Sequence, residues 1–247
     1  MFFFCFQLRL HDLLDTCNAY GTGLLEPFSH QRFSVHLLYV ADPFFTIWLV
    51  AAFIALAFFL PKTKQQRTRW LRIGLLPAGL YLAVSVVNKV LVKQQVVKSL
   101  QAKHMPYKSI IITPTPFNTL LWYIVAATDS GYVIGYRSVF DKNNSPVSFT
   151  YYPQNKALLQ NVDEKVNVKE LVLFADHYYT VNKVNDTLTF NVLRFGQVLG
   201  WEYPNNRFAF QYYLNPSYDN TLVVQRGRFT GWNKETIMYM IQRIEGR

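Results

Sequence analysis

Two side chains near the start of the chain have the types and the spacing that hold a metal ion. His11 and Asp15 lie in the stretch Leu10–Thr22, LHDLLDTCNAYGT. Residues at i and i+4 stand on the same face of a helix, one turn apart. An imidazole nitrogen and a carboxylate oxygen on that face can converge on one divalent cation, for which zinc or manganese is suited. Four more residues could join them. Cys17 is either a ligand or nucleophile or a small buried thiol, and the buried thiol is the expectation. His30 and His36 pair with no second ligand at a recognisable spacing, and both are expected at the surface or against lipid headgroups. Asp42 precedes Pro43 at the start of an apolar run. It reads as a helix cap, as a carboxylate at the membrane boundary facing the His11/Asp15 face, or as both.

Such a pair needs elements that position it. Met1–Leu10 is apolar and reads as the end of a hydrophobic helix running into the motif, while Gly21, Gly23, Pro27 and Ser29 make Asp15–Asp42 mostly irregular. Val40–Leu60 carries no charge from Pro43 onward and reads as a transmembrane helix, since a hydrocarbon core of about 30 Å needs about 20 residues. Lys62–Arg72 reads as a basic loop. Ile73–Val92 follows as a second, weaker span, with Pro77 and Gly79 as kink points and Asn88 and Lys89 snorkelling at its end. Two spans, over about residues 40–60 and 73–92, put the motif and everything after Val92 on one side. The charge of the loop argues for that side being outside the cytoplasm, while Lys89, Lys93, Lys98, Lys103 and Lys108 put positive charge on that side too. Lys93–Met105 reads as a polar helical continuation ended by Pro106, so residues 1–105 form a membrane-embedded helical region.

From Tyr107 the pattern changes. Ser109–Thr113 is β-branched, and Thr119–Thr128 and Tyr132–Phe140 flank Asp129-Ser130-Gly131 as a hairpin. Tyr152–Val162 has a short helical pattern, and Val168–Tyr179 reads as a helix leading to a strand. Lys183–Asp186 is a turn. Thr187–Phe195, Arg207–Leu214 and Thr221–Arg226 are strand candidates, and Asn233–Ile244 is a terminal helix. Residues 106–247 therefore make a mixed α+β soluble domain, and the fold class is α+β with N-terminal membrane helices.

Composition agrees with a two-part chain. Of 247 residues, 51% are hydrophobic and 16% charged, below the about 25% usual for soluble proteins. The net charge of +10 sits beside hydrophobic segments, which points to a lipid bilayer as partner and away from nucleic acid. Cys5 and Cys17 make no disulfide framework. After Tyr107 there is no Gly-rich phosphate loop and no nucleophile elbow. Asp176 and His177 are adjacent and point apart. Arg194 reads as a cross-strand partner rather than an anion site.

The motifs HDLLDTCNAYGT, PFSHQRF and VADPFFT resemble the bacterial membrane-bound metal-dependent hydrolases, the YdjM-like, LexA-regulated inner-membrane family. The resemblance extends to TPTPFNTLLWYIVAATDSGYVIGYRSVFD, similar to the start of the C-terminal domain of longer members. It implies that His11 and Asp15 are metal ligands, that Asp42 is a ligand or supports one, that Asp42-Pro43 with Thr46 opens a membrane helix, and that the protein is a multi-pass inner-membrane protein. Position 12 is Asp where the family has Pro. The family's upstream Asp segment and His-Arg-Gly-x-x-His-Ser-like motif would lie before Met1, so the chain reads as N-terminally truncated, with weak metal affinity and little hydrolysis. The leading expectation is thus a metal-dependent hydrolase-like membrane protein, with catalytic groups and substrate unassigned. The alternative is a non-catalytic, membrane-anchored module whose α+β domain binds a partner or envelope component.

Overall fold

The computed structural model describes residues 2–29, 31–59, 61–143, 145–160, 162, 168–184, 187–214 and 231–247. Its elements in chain order are α1 (Phe2–Asp15), α2 (Pro43–Phe58), α3 (Lys64–Ala102), β1 (Ser109–Pro114), β2 (Leu121–Ala127), β3 (Gly131–Ser138), β4 (Phe149–Pro153), α4 (Val168–Phe174), β5 (Tyr179–Val184), β6 (Thr187–Gln197), β7 (Phe208–Tyr213) and α5 (Lys234–Ile244). This is a mixed α+β chain. His30 and the strand expected at Thr221–Arg226 lie outside the described residues. The chain divides into two compact units, Met1–Val92 with Pro114–Leu120, and Lys93–Thr113 with Leu121–Arg247.

In the first unit α2 opens at Pro43, whose missing N–H and fixed φ suit a first helical turn, with Asp42 as its cap. It has 16 residues, which rise about 24 Å and fall short of a hydrocarbon core of about 30 Å. Helix α3 has 39 residues and is the helix among the described residues long and apolar enough to cross a membrane. Two spans therefore reduce to one candidate by length and composition. Only 22% of its most apolar window is buried in the chain, unlike the core helix of a soluble protein. Leu75, Leu76, Leu80 and Val87 stand exposed on α3, and Ile47, Phe53 and Phe58 on α2. Small residues fill the contact between the two helices, with Ala52, Ala55, Gly74 and Ala78 buried. A Cβ on Gly74 would stand 2.6 Å from the Ala52 Cβ, so glycine is what permits the close approach.

The basic loop expected at Lys62–Arg72 is instead the first turns of α3. Thr63 and Gln66 form a reciprocal cap: the Gln66 N–H donates to Thr63 Oγ1 at 3.2 Å, and the Thr63 N–H to Gln66 Oε1 at 3.3 Å. Lys, Gln and Arg are good helix formers, so nothing after that cap interrupts the helix. Pro77 lies inside α3 without ending it.

The second unit holds two sheets, ordered β1-β2-β3-β4 and β5-β6-β7. The expected hairpin is β2–β3, antiparallel with Tyr123 opposite Tyr136. Gly131 closes its turn, where a Cβ would meet the Tyr152 carbonyl oxygen at 2.2 Å. The helical pattern of Tyr152–Val162 gives way to β4, in which Tyr152 pairs with Tyr132, and to a 3-10 turn at Lys156–Leu159. Lys183, expected in a turn, pairs with Leu188 in the β5–β6 ladder. Ile111, Tyr123, Val125 and Ile134 of the first sheet pack with Tyr178, Leu193 and Phe208. Helix α5 is capped by Asn233 and Thr236 and buries Met240 against Leu121, Val198 and Trp201.

Candidate functional site

The i, i+4 spacing in α1 does what helix geometry requires. His11 Nε2 and Asp15 Oδ2 stand 3.4 Å apart, with side chains 72% and 47% exposed. The two donors share a face open to solvent or headgroups. The chain then turns sharply and is stapled back on itself. Asn18 Oδ1 accepts the Tyr20 N–H at 2.8 Å, the Thr16 carbonyl accepts the Val35 N–H at 2.7 Å, and the Cys17 carbonyl accepts the N–H groups of Leu37 and Leu38 at 2.7 and 2.9 Å. Gly21 sits at φ +67°, where a Cβ would meet the Phe33 carbonyl oxygen at 2.5 Å. Cys17 is a buried free thiol, and burial pushes its pKa up. His36, expected at the surface, is buried instead and takes a left-handed backbone, φ +47°.

Asp42 is 2% exposed, and both its carboxylate oxygens are in use. Oδ1 accepts the N–H groups of Phe44 and Phe45 at 3.0 and 3.4 Å, and Oδ2 accepts the Tyr81 hydroxyl at 2.8 Å. The Thr46 hydroxyl donates to the Asp42 carbonyl at 2.8 Å. Asp42 thus ties the start of α2 to the middle of α3. Three further α3 side chains hold the same region. Ser85 donates to the Leu37 carbonyl, Asn88 Nδ2 to the Thr119 carbonyl at 2.9 Å, and Lys89 Nζ to the carbonyls of Val35 and His36. Asn88 and Lys89 therefore bind chain carbonyls where snorkelling was expected. Tyr81, Ser85 and Asn88 follow i, i+4, i+7 spacing inside an apolar helix, and that stripe was the signal for an inward polar face.

A metal centre requires more than this arrangement provides. Among the described residues no group of three or more His, Cys, Asp or Glu stands together. His11 and Asp15 supply two donors, while catalytic zinc takes three protein ligands, and the Asp42 oxygens are engaged in hydrogen bonds. The described residues do not complete a catalytic metal site.

The second unit carries a polar cluster of another kind. Arg137, 2% exposed, donates to Gln95 Oε1 at 2.7 Å, to the Ser145 carbonyl and hydroxyl, and to the Lys142 carbonyl at 2.8 Å. Burial pulls the Arg137 pKa down, and the Asp141 carboxylate works against that shift. Asp141 is held in a two-pronged pair by Arg243, at 2.7 and 3.0 Å. All three Arg137 nitrogens have acceptors, and the Asp141–Arg243 pair ties this cluster to α5. Arg194 donates to the Phe174 carbonyl at 3.4 Å and lies 5.1 Å over the Phe195 ring, closing the end of α4. Asp176 and His177 occupy left-handed positions in the turn after α4.

Residues 1–92 match the family model described as YdjM inner membrane protein. No curated protein and no solved structure matches the chain significantly. The matched region holds His11, Asp15, Asp42, α2 and most of α3, so the YdjM likeness read from the motifs stands for that region. The family's description names a membrane, with no mention of metal or hydrolysis.

Proposed function

We propose that this chain is a membrane-anchored α+β module, in which α2 and α3 enter the bilayer as a two-span hairpin and carry the domain after Lys93 on its extracytoplasmic side. The observation behind this reading is the apolar exposure of both helices around a contact made of small residues. The reach of α2 extends by its flanking apolar residues Val40 and Phe59, both exposed. Charge supports the orientation. Lys and Arg flank α3 at both ends; at its far end Lys89, Lys103 and Lys108 bind chain carbonyls or Asp129, and Lys93 and Lys98 stand exposed. At the Lys64 end Arg67 alone donates to a chain carbonyl, that of Pro61, among the described residues. That end then faces the cytoplasm by the positive-inside rule. The test is fractionation with alkaline carbonate, together with a reporter fused after Arg247. The chain should stay with membranes, and a reporter active only outside the cytoplasm should be active. Release into the soluble fraction refutes the anchor, and a silent reporter refutes the orientation.

The His11–Asp15 pair favours a second reading, metal-dependent hydrolysis of a phosphoester or lipid-linked substrate at the membrane surface. Its support is the convergence of two metal-binding side chains on one exposed face. Equilibrium dialysis of the purified chain against zinc and manganese tests the metal binding that this reading requires. Stoichiometric metal retained by the wild type and lost in His11→Ala favours the enzyme, and no retained metal leaves the anchored module.

A further inference from the structure

The whole net charge of the protein comes from one stretch. Between Pro43 and Thr128 there are ten Lys and Arg and no Asp or Glu, while the remainder of the chain has equal numbers of both signs, which leaves the net +10 in that stretch alone. Half of those cations, Lys62, Lys64, Arg67, Arg69 and Arg72, cluster at the start of α3. An open groove of about 880 Å³ runs along this part of the helix, lined by Lys64, Arg69 and Arg72 and then by Ile73, Leu76 and Pro77. Among the described residues Lys64, Arg69 and Arg72 form no salt bridge, and the exposed Leu75 and Leu76 follow immediately toward the apolar part of the helix.

A stripe that changes from cations to aliphatic side chains within one turn has the polarity of a phospholipid. We propose that Lys64, Arg69 and Arg72 bind the headgroup phosphate of an anionic phospholipid, whose first acyl carbons lie along Ile73 and Leu76. The proposal rests on the membrane reading above and adds the lipid class and its site. Charge complementarity selects the anionic class: a cationic cluster with no acid in the flanking stretch attracts a lipid of net negative charge more than a zwitterionic one. Arginine suits the phosphate because its guanidinium presents two parallel donors. At the far end of α3 Lys89, Lys103 and Lys108 are bound within the chain, which leaves Lys93 and Lys98 as the exposed cations to set against this cluster.

The full chain in nanodiscs of mixed phosphatidylcholine and phosphatidylglycerol, released and weighed with its retained lipid by native mass spectrometry, tests this site. Arg69→Gln with Arg72→Gln should reduce the preference for phosphatidylglycerol about tenfold or more. Lys93→Gln with Lys98→Gln removes the same charge from exposed positions on the same helix and should change it less than about twofold. Arg69→Lys with Arg72→Lys keeps the charge but loses the paired donors, and its preference should fall between the wild type and the Gln pair. Equal loss in both Gln pairs, or loss in neither, overturns the site. Full displacement of the lipid by inorganic phosphate also overturns it, in favour of a free-anion site. A wild-type chain that does not enter nanodiscs overturns the membrane reading and the site together, whereas one that enters without lipid preference overturns the site alone.

Discussion

Replacing Asp42 separates a helix cap from a metal ligand. In Asp42→Ala the N–H groups of Phe44 and Phe45 lose their acceptor, and the Tyr81 hydroxyl loses a charged partner at 2.8 Å. Loss of an Asp cap costs about 1 kcal/mol, and loss of a hydrogen bond to a charged group about 1.5–3 kcal/mol, so the expected destabilisation is about 2–4 kcal/mol. Asn caps helices as well as Asp does, and a hydroxyl can rotate to meet an amide, so Asp42→Asn should cost only about 1 kcal/mol. Tyr81→Phe should remove the second contribution alone, and the double variant Asp42→Ala/Tyr81→Phe should show a coupling of about 1.5–3 kcal/mol. Thermal and denaturant unfolding of the full chain in detergent, followed by tryptophan fluorescence, measures all four. A metal ligand predicts another pattern, in which Asn and Ala are equally damaging and metal content changes with the variant. An Asp42→Ala chain within about 0.5 kcal/mol of wild type, or an Asn variant as damaged as the Ala variant, would refute the cap argument.

Three further outcomes follow from the packing. Gly74→Val places a branched side chain where even a Cβ would stand 2.6 Å from Ala52, and should cost about 1–3 kcal/mol in the same unfolding assay, with a paired Ala52→Gly change recovering part of the loss. Asp141→Ala leaves Arg137 buried without its carboxylate and frees Arg243, and should cost about 3–5 kcal/mol, whereas Arg243→Ala, at a partly exposed side chain, should cost less. Tyr132 is pushed up to about 12, chiefly by burial, and burial also raises Tyr178 and Tyr179. A phenol whose pKa is higher folded than unfolded contributes stability that is complete below the unfolded value of about 10 and is lost as pH rises through the folded value. Stability should therefore stay flat to about pH 10 and fall by pH 12, with the phenolate absorbance of the buried tyrosines appearing together with unfolding. A full tyrosine titration before any unfolding would contradict this.

Elements specified by adjacent residues were legible in the sequence. Asp129-Ser130-Gly131 between two β-rich runs gives the β2–β3 hairpin, and the terminal helix expected at Asn233–Ile244 is α5. Asp42-Pro43 gives the start of α2, although not its end at Phe58, two residues before the expected limit. What was missed falls into two kinds. At Lys62–Arg72 five charges suggest a loop, while the Thr63/Gln66 cap beneath them starts a helix, so the local signal was present and was outweighed by charge. At Tyr152 the helical pattern lost to pairing with Tyr132, twenty residues earlier in the chain. No local pattern contains that partner, because a strand's register comes from its neighbour.

The same division governs the candidate site. The His11–Asp15 contact was legible because a helix makes it within one turn. The Asp42–Tyr81 hydrogen bond joins residues 39 apart, and it determines what Asp42 does. Burial distinguishes the two carboxylates more sharply than motif membership does. Asp42 is sequestered and has an acceptor role for both oxygens, so its conformation is explained without any ligand. Asp15 is half exposed, and an exposed side-chain contact on a helix surface contributes little to folding. Replacing His11 and Asp15 should therefore leave the unfolding transition unchanged, so any loss of metal or activity in those variants reports a lost ligand. At Asp42 the same losses would report a displaced helix. A site assignment based on the three residues as one set would merge these two effects, and the structure separates them.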